Sequence, residues 1–177
     1  VFPQHEDEIA QSEGACVQCN GQKFVKYWMH GAHLMVEGKK MSKSLGNFFT
    51  LRDLTDQGYN GREIRQLMIS AHYRETFNFT LDGLAGARTA LNRIHECVTK
   101  LRDKAGDTSA EPAPQVIEQF TSAMDDNLNV SSAWAAVFDW VRDCNRRLAD
   151  GALDAVGAAA ELAAWERIDT VLGVGQT

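Results

Sequence analysis

The sequence predicts a mainly α protein: an opening segment of short strand-like pieces and connecting helices, followed by an antiparallel helical bundle. Three observations carry this. Residues 1–50 show no long helical period. From about residue 80, apolar side chains recur every three or four positions, as one face of a helix requires. Between 106 and 114, Gly106, Pro112 and Pro114 stand among small polar residues and mark a linker. At 177 residues the chain holds one large or two small domains. A division into 1–76 and 77–177 follows.

The elements are expected as follows. Lys23–Trp28 and Ala32–Val36 read as short strand-like or buried segments, and Glu37-Gly38 as a turn after the second. Thr50 and Asn60 are candidate caps for short helices. Ile64, Leu67, Met68 and Ala71 share one helical face. Thr80 caps a helix over 80–104 with Leu84, Ala87, Leu91, Ile94, Val98 and Leu101 inward. A short helix over 115–124 buries Val116, Phe120 and Met124. Ser131 or Ser132 opens another, with Trp134, Val137, Phe138, Val141 and Leu148 inside. The last, near 157–172, presents Leu162, Trp165, Ile168 and Leu172. These stripes are bundle core rather than ligand-binding surfaces.

Composition is that of an ordinary globular chain, with 44% apolar and 24% charged residues. No apolar run is long enough to span a membrane, and a secretory leader is not expected. Four cysteines (Cys16, Cys19, Cys97, Cys144) are too few and scattered for a disulfide scaffold, so a cytoplasmic setting is expected. Cys16-Val17-Gln18-Cys19 is half of a metal site, a redox pair, or a plain loop. The net charge is −6, yet residues 22–76 hold nine Lys/Arg against five Asp/Glu. Positive charge therefore gathers locally, which suits phosphate binding without broad attraction for nucleic acid.

That charge centres on Lys40-Met41-Ser42-Lys43-Ser44, followed by Leu45-Gly46-Asn47. Two ammonium groups three residues apart, two hydroxyls and a nearby glycine suit a triphosphate whose leaving oxygens gain charge during reaction. An exposed basic turn is the plainer alternative. The neighbouring words are Phe2-Pro3-Gln4-His5-Glu6-Asp7-Glu8, Tyr27-Trp28-Met29-His30 and Met124-Asp125-Asp126-Asn127-Leu128-Asn129. With the lysine loop, they resemble the class I aminoacyl-tRNA synthetases, and most closely the cysteinyl-tRNA synthetase family.

The resemblance implies the end of a Rossmann-like catalytic domain carrying the second class signature, then a tRNA-binding helical bundle. It implies ATP with Mg, cysteine and tRNA as ligands. Lys40 and Lys43 become the catalytic candidates, and Met41, Ser42, Ser44 and His30 join them around ATP; for His30, a packed or surface role stands equally open. The His-x-Gly-His word of this class is expected upstream, on the other catalytic half of the same polypeptide, so the isolated chain is expected to be inactive. His30-Gly31-Ala32-His33 is not that word and reads as part of the strand before the loop.

The family's zinc ligands include a histidine and a glutamate four residues apart. Here Glu8 matches the glutamate, while Gln4 stands at the histidine position. Zn is then weakened, lost, or rescued by His5, Cys16 or Cys19. Glu6, Asp7 and Glu8 also suit an acidic helix start. Arg142, Arg146 and Arg147 are the first candidates for tRNA contact. Two alternatives remain: a cysteine-dependent ligase of mycothiol biosynthesis, and a non-catalytic tRNA-binding module.

Overall fold

A computed structural model describes residues 3–16 and 23–175. The chain forms two compact units, divided between Gly31 and Ala32.

The first unit holds helix α1, Gln4–Ala15. It begins after Pro3, and Glu6 and Asp7 in its first turn complement the helix dipole. None of its residues is buried. Residues 23–28 form neither a strand nor a core segment, contrary to the sequence expectation: Phe24, Tyr27 and Trp28 are all exposed.

The second unit begins with β1 (Leu34–Val36) and β2 (Lys39–Lys40), an antiparallel hairpin pairing Met35 with Lys40. Glu37 and Gly38 both take positive φ, 50° and 72°, as a two-residue turn of this hand requires. His30–His33 precede the strand instead of belonging to it. Helices α2 (Leu51–Asp56) and α3 (Gly61–Met68) follow, each opened by a reciprocal capping box, Thr50 with Asp53 and Asn60 with Glu63. Strand β3 (Phe77–Phe79) then pairs parallel with β1, giving the order β2-β1-β3. The parallel pair is joined through α2 and α3, the crossover that such pairing demands.

The expected face of α3 is rotated. Leu67 is buried and Ile64 partly so, but Met68 is exposed, and Glu63 and Gln66 take the inner places. A carboxylate is tolerated there because Arg88 reaches it from the next helix.

Four helices complete the unit: α4 (Leu81–Ala105), α5 (Pro114–Asp125), α6 (Val130–Ala149) and α7 (Ala155–Leu172). Thr80 caps α4 through the Gly83 N–H, and the whole expected stripe of α4 is buried. The cap of α6 is Asn129, whose Oδ1 accepts from the Ser132 N–H, rather than Ser131 or Ser132. Trp140, Cys144, Glu161 and the alanines 158, 159 and 164 add to the expected cores of α6 and α7. Helix α4 packs on α6 and α7, and α5 packs on the same two.

Two apolar clusters result. The smaller contains Val36, Leu54, Leu67, Phe79, Leu84 and Ala87, and lies beneath the sheet segment. The larger runs from Leu91 through α5, α6 and α7 to Val174. Cys97 and Cys144 are free, buried thiols within it. Its hydrogen bond with Cys97, together with burial, pushes the Cys144 thiol up.

Candidate functional site

The lysine loop leaves β2 at Lys40 and is fixed at both ends. Met41 and Phe49 pack against the smaller cluster, and the Phe49 ring lies 6.1 Å from that of Phe79. Between these anchors Lys43, Ser44 and Leu45 form one 3-10 turn. Gly46 closes it at φ 67°, where its N–H donates to the Lys43 carbonyl at 3.2 Å. A side chain with a Cβ resists that angle, so glycine is needed here.

Asn47 joins the loop to the hairpin. Its Oδ1 accepts from the Ser42 N–H at 2.9 Å. Its Nδ2 donates to the Val36 and Lys40 carbonyls, each at 3.2 Å. Ser42 and Ser44 share a hydroxyl–hydroxyl hydrogen bond of 2.8 Å. Lys40 and Lys43 are exposed. No carboxylate among the described residues pairs with either of them. Lys43 Nζ stands 5.4 Å from the centre of the Phe48 ring. The arrangement presents two cations and two hydroxyls to solvent on an anchored turn, a surface able to receive phosphate oxygens.

Behind the hairpin, the turn is bound to β3. The Glu37 N–H donates to Phe79 O at 3.0 Å, the Gly38 N–H donates to Asn78 Oδ1 at 2.8 Å, and Glu37 Oε1 accepts from the Leu81 N–H at 3.1 Å. The word at 124–129 also has a structural task. Asn127 accepts from the Tyr73 hydroxyl at 2.8 Å, and its carbonyl lies 3.0 Å from His72 Nε2. Trp134 Nε1 donates to Ile69 O at 3.0 Å. These contacts hold the exit of α3 against the start of α6. The sequence carried no signal for them, because every partner lies more than fifty positions away.

His30 belongs to the first unit, where its ring stacks at 4.6 Å on His5. His5 also stacks on Trp28 at 4.0 Å. Desolvation against these rings, reinforced by the charge of His30, lowers the His5 pKa.

Gln4 and Glu8 are exposed on α1, one turn apart. Cys16 is disulfide-bonded, and Cys19 lies outside the described residues. Among the described residues, no three His, Cys, Asp or Glu side chains gather as a metal site. An amide oxygen is a poor zinc ligand, so Gln4 does not fit a zinc ion beside Glu8.

The three arginines of α6 have different surroundings. Arg142 pairs with Asp139 and Arg146 with Asp143, all on the exposed side. Arg147 turns inward, 2.6 Å from Glu161 and 3.4 Å from Asp143. Glu161 is buried and also accepts from Trp140 Nε1 at 2.8 Å.

Comparison with known proteins places the chain in a family. Residues 1–89 match the family model described as the class I (C) tRNA synthetase catalytic domain, and residues 119–176 match the DALR domain. The chain belongs to the class I tRNA synthetase family. Similar curated relatives are named cysteine–tRNA ligase. The protein of Chlamydia pneumoniae is 41% identical over 180 residues, covering 98% of this chain and 37% of its own length. That of Chlamydia muridarum is 46% identical over 151 residues, covering 82% and 31%. That of Protochlamydia amoebophila is 39% identical over 178 residues, covering 98% and 36%. The chain thus spans about a third of the length of these relatives. Among the described residues, no helix is long and apolar enough to cross a membrane.

Proposed function

We propose that this chain is part of an enzyme that attaches cysteine to its tRNA at the expense of ATP, through a cysteinyl-adenylate. The name of the relatives supports this reading over the mycothiol ligase and the non-catalytic module. The observation that carries it is the anchored lysine loop, with Lys40 and Lys43 exposed and, among the described residues, without a carboxylate partner.

In the first step the cysteine carboxylate attacks the α-phosphorus of ATP and pyrophosphate leaves. In the second, a terminal ribose hydroxyl of tRNA attacks the adenylate carbonyl and AMP leaves. Positioning and charge stabilisation are the main demands on the protein in the first step. Lys43 and Lys40 neutralise the charge that builds on the departing pyrophosphate, and Ser42 and Ser44 donate to its oxygens. Met41 anchors the loop. Mg accompanies ATP in such chemistry and offsets phosphate charge when bound. No step is assigned to zinc, since Gln4 and Glu8 do not make a site for it.

Residues 1–76 act as the end of the catalytic domain, and 77–177 as tRNA-binding helices. The other catalytic half lies upstream on the same polypeptide, and the enzyme works in the cytoplasm, where ATP and tRNA meet.

Pyrophosphate exchange in the full-length protein at saturating cysteine tests the central assignment. Lys43→Ala is expected to slow exchange about a hundredfold, the usual effect of losing one preorganised charge contact, with cysteine affinity little changed. An unchanged exchange rate would remove Lys43 from the reaction.

A further inference from the structure

We infer that Asn47 is a positioning residue for adenylate formation, acting through Lys43. This rests on the proposed role of the lysine loop and extends it to a side chain that reaches no phosphate itself.

Three hydrogen bonds carry the inference. One amide group holds the backbone on both sides of Met41: the Lys40 carbonyl at 3.2 Å and the Ser42 N–H at 2.9 Å. Its second N–H is given to the carbonyl of Val36, a residue fully buried in β1. Asn47 therefore ties the cationic turn to the central strand of the sheet. Both amide hydrogens and the amide oxygen are used, so no isosteric side chain preserves the set. An aspartate would keep the contact to Ser42 but turn a carboxylate oxygen toward two carbonyls.

The consequence for Lys43 follows from chain geometry. Lys43 starts the 3-10 turn directly after Ser42, and Gly46 closes it directly before Asn47. The turn between these positions is solvent-exposed and has no buried residue. With Asn47 removed, Met41 and Phe49 still anchor the ends, but the turn between them is free to swing. A cation stabilises a transition state best when it needs no reorganisation at the moment of reaction. Loss of the tie should therefore appear in turnover more than in ATP binding.

The test is a double-mutant cycle in the full-length protein, read by ATP–pyrophosphate exchange. Asn47→Ala is expected to lower kcat about tenfold while the KM for ATP stays within about twofold. Because Asn47 acts chiefly through Lys43, adding Asn47→Ala to Lys43→Ala should cost clearly less than the tenfold it costs alone. Amide hydrogen exchange supplies a readout independent of activity: the Ser42 N–H should be protected in the parent and lose protection in Asn47→Ala. If Lys43→Ala slows exchange but the two losses multiply, or if Asn47→Ala retains kcat and only lowers Tm, the positioning role fails while the loop assignment stands. If Lys43→Ala is without effect, the loop assignment fails and takes this inference with it. Unchanged Ser42 protection in Asn47→Ala would overturn the tie itself.

Discussion

Glu63 places a carboxylate in the smaller core at the start of α3, where only 6% of the residue stays exposed. It accepts from Arg88 Nε at 2.7 Å and from the Asn60 N–H at 2.9 Å. The Arg88 hydrogen bond holds its pKa below the ordinary value, against the opposing effect of burial. A depressed carboxylate stabilises the fold above its unfolded pKa and ceases to do so as pH falls through the lower folded value. Glu63→Gln should therefore cost about 1 kcal/mol near neutral pH, the order expected for a charge-assisted bond to a half-exposed arginine. That deficit should shrink at about pH 3, below the unfolded glutamate value of roughly 4.3. Urea unfolding of both proteins at the two pH values measures it; a deficit independent of pH would mean that shape, not charge, is what Glu63 supplies. Sequence periodicity pointed to Met68 on this face instead. Periodicity sees only apolar neighbours along one helix, whereas Arg88 sits twenty-five residues away on another.

Helices were legible where their signals are local. Thr50, Asn60 and Thr80 cap where a hydroxyl or amide precedes a periodic stripe. The cap of α6 was misplaced because Asn129 sits inside a turn in which Asn127 and Leu128 both take positive φ, a conformation that sequence alone does not announce. The same limit governs the arginines of α6. Their clustering was legible, but not their division into two outward cations and one inward tie. Arg142 and Arg146 form exposed i,i+3 pairs, which contribute little to stability and leave the charges open to compete for phosphate. Arg142→Gln and Arg146→Gln together should weaken tRNA binding and flatten its salt dependence by about one to two units of slope, with Tm unchanged. Arg147→Ala should instead lower stability by about 2 kcal/mol, because Glu161 is left buried with its charge uncompensated. Filter binding at several salt concentrations and urea unfolding separate the two roles. If Arg147→Ala weakened tRNA binding without touching stability, the inward assignment would fail.

Across the whole molecule, the lysine loop was legible as a motif and its support was not. The ammonium and hydroxyl groups are local in sequence; the tie through Asn47 depends on a hairpin bringing Val36 and Lys40 together. The proposed division at 76/77 has a similar character. It is drawn by proposed task, but the packing is continuous across it, because α4 serves both clusters. Leu84 and Ala87, in its first two turns, close the core beneath the sheet and the loop. Leu91, Ile94, Val98 and Leu101 continue the same face into the bundle. Arg65 of α3 adds a second connection, donating to the last carbonyls of α7 at Val171 and Leu172. Residues 32–175 should therefore unfold as one cooperative body. Ile94 is fully buried near the middle of α4, so Ile94→Ala should cost about 2–5 kcal/mol. Trp134, Trp140 and Trp165 report on the larger cluster through their fluorescence, and the amides of Val36 and Leu67 report on the smaller through hydrogen exchange. Cooperative coupling through α4 requires that Ile94→Ala lower both signals by the same free energy. A fall in the tryptophan transition with full protection retained at Val36 and Leu67 would show that the loop's platform stands without the bundle.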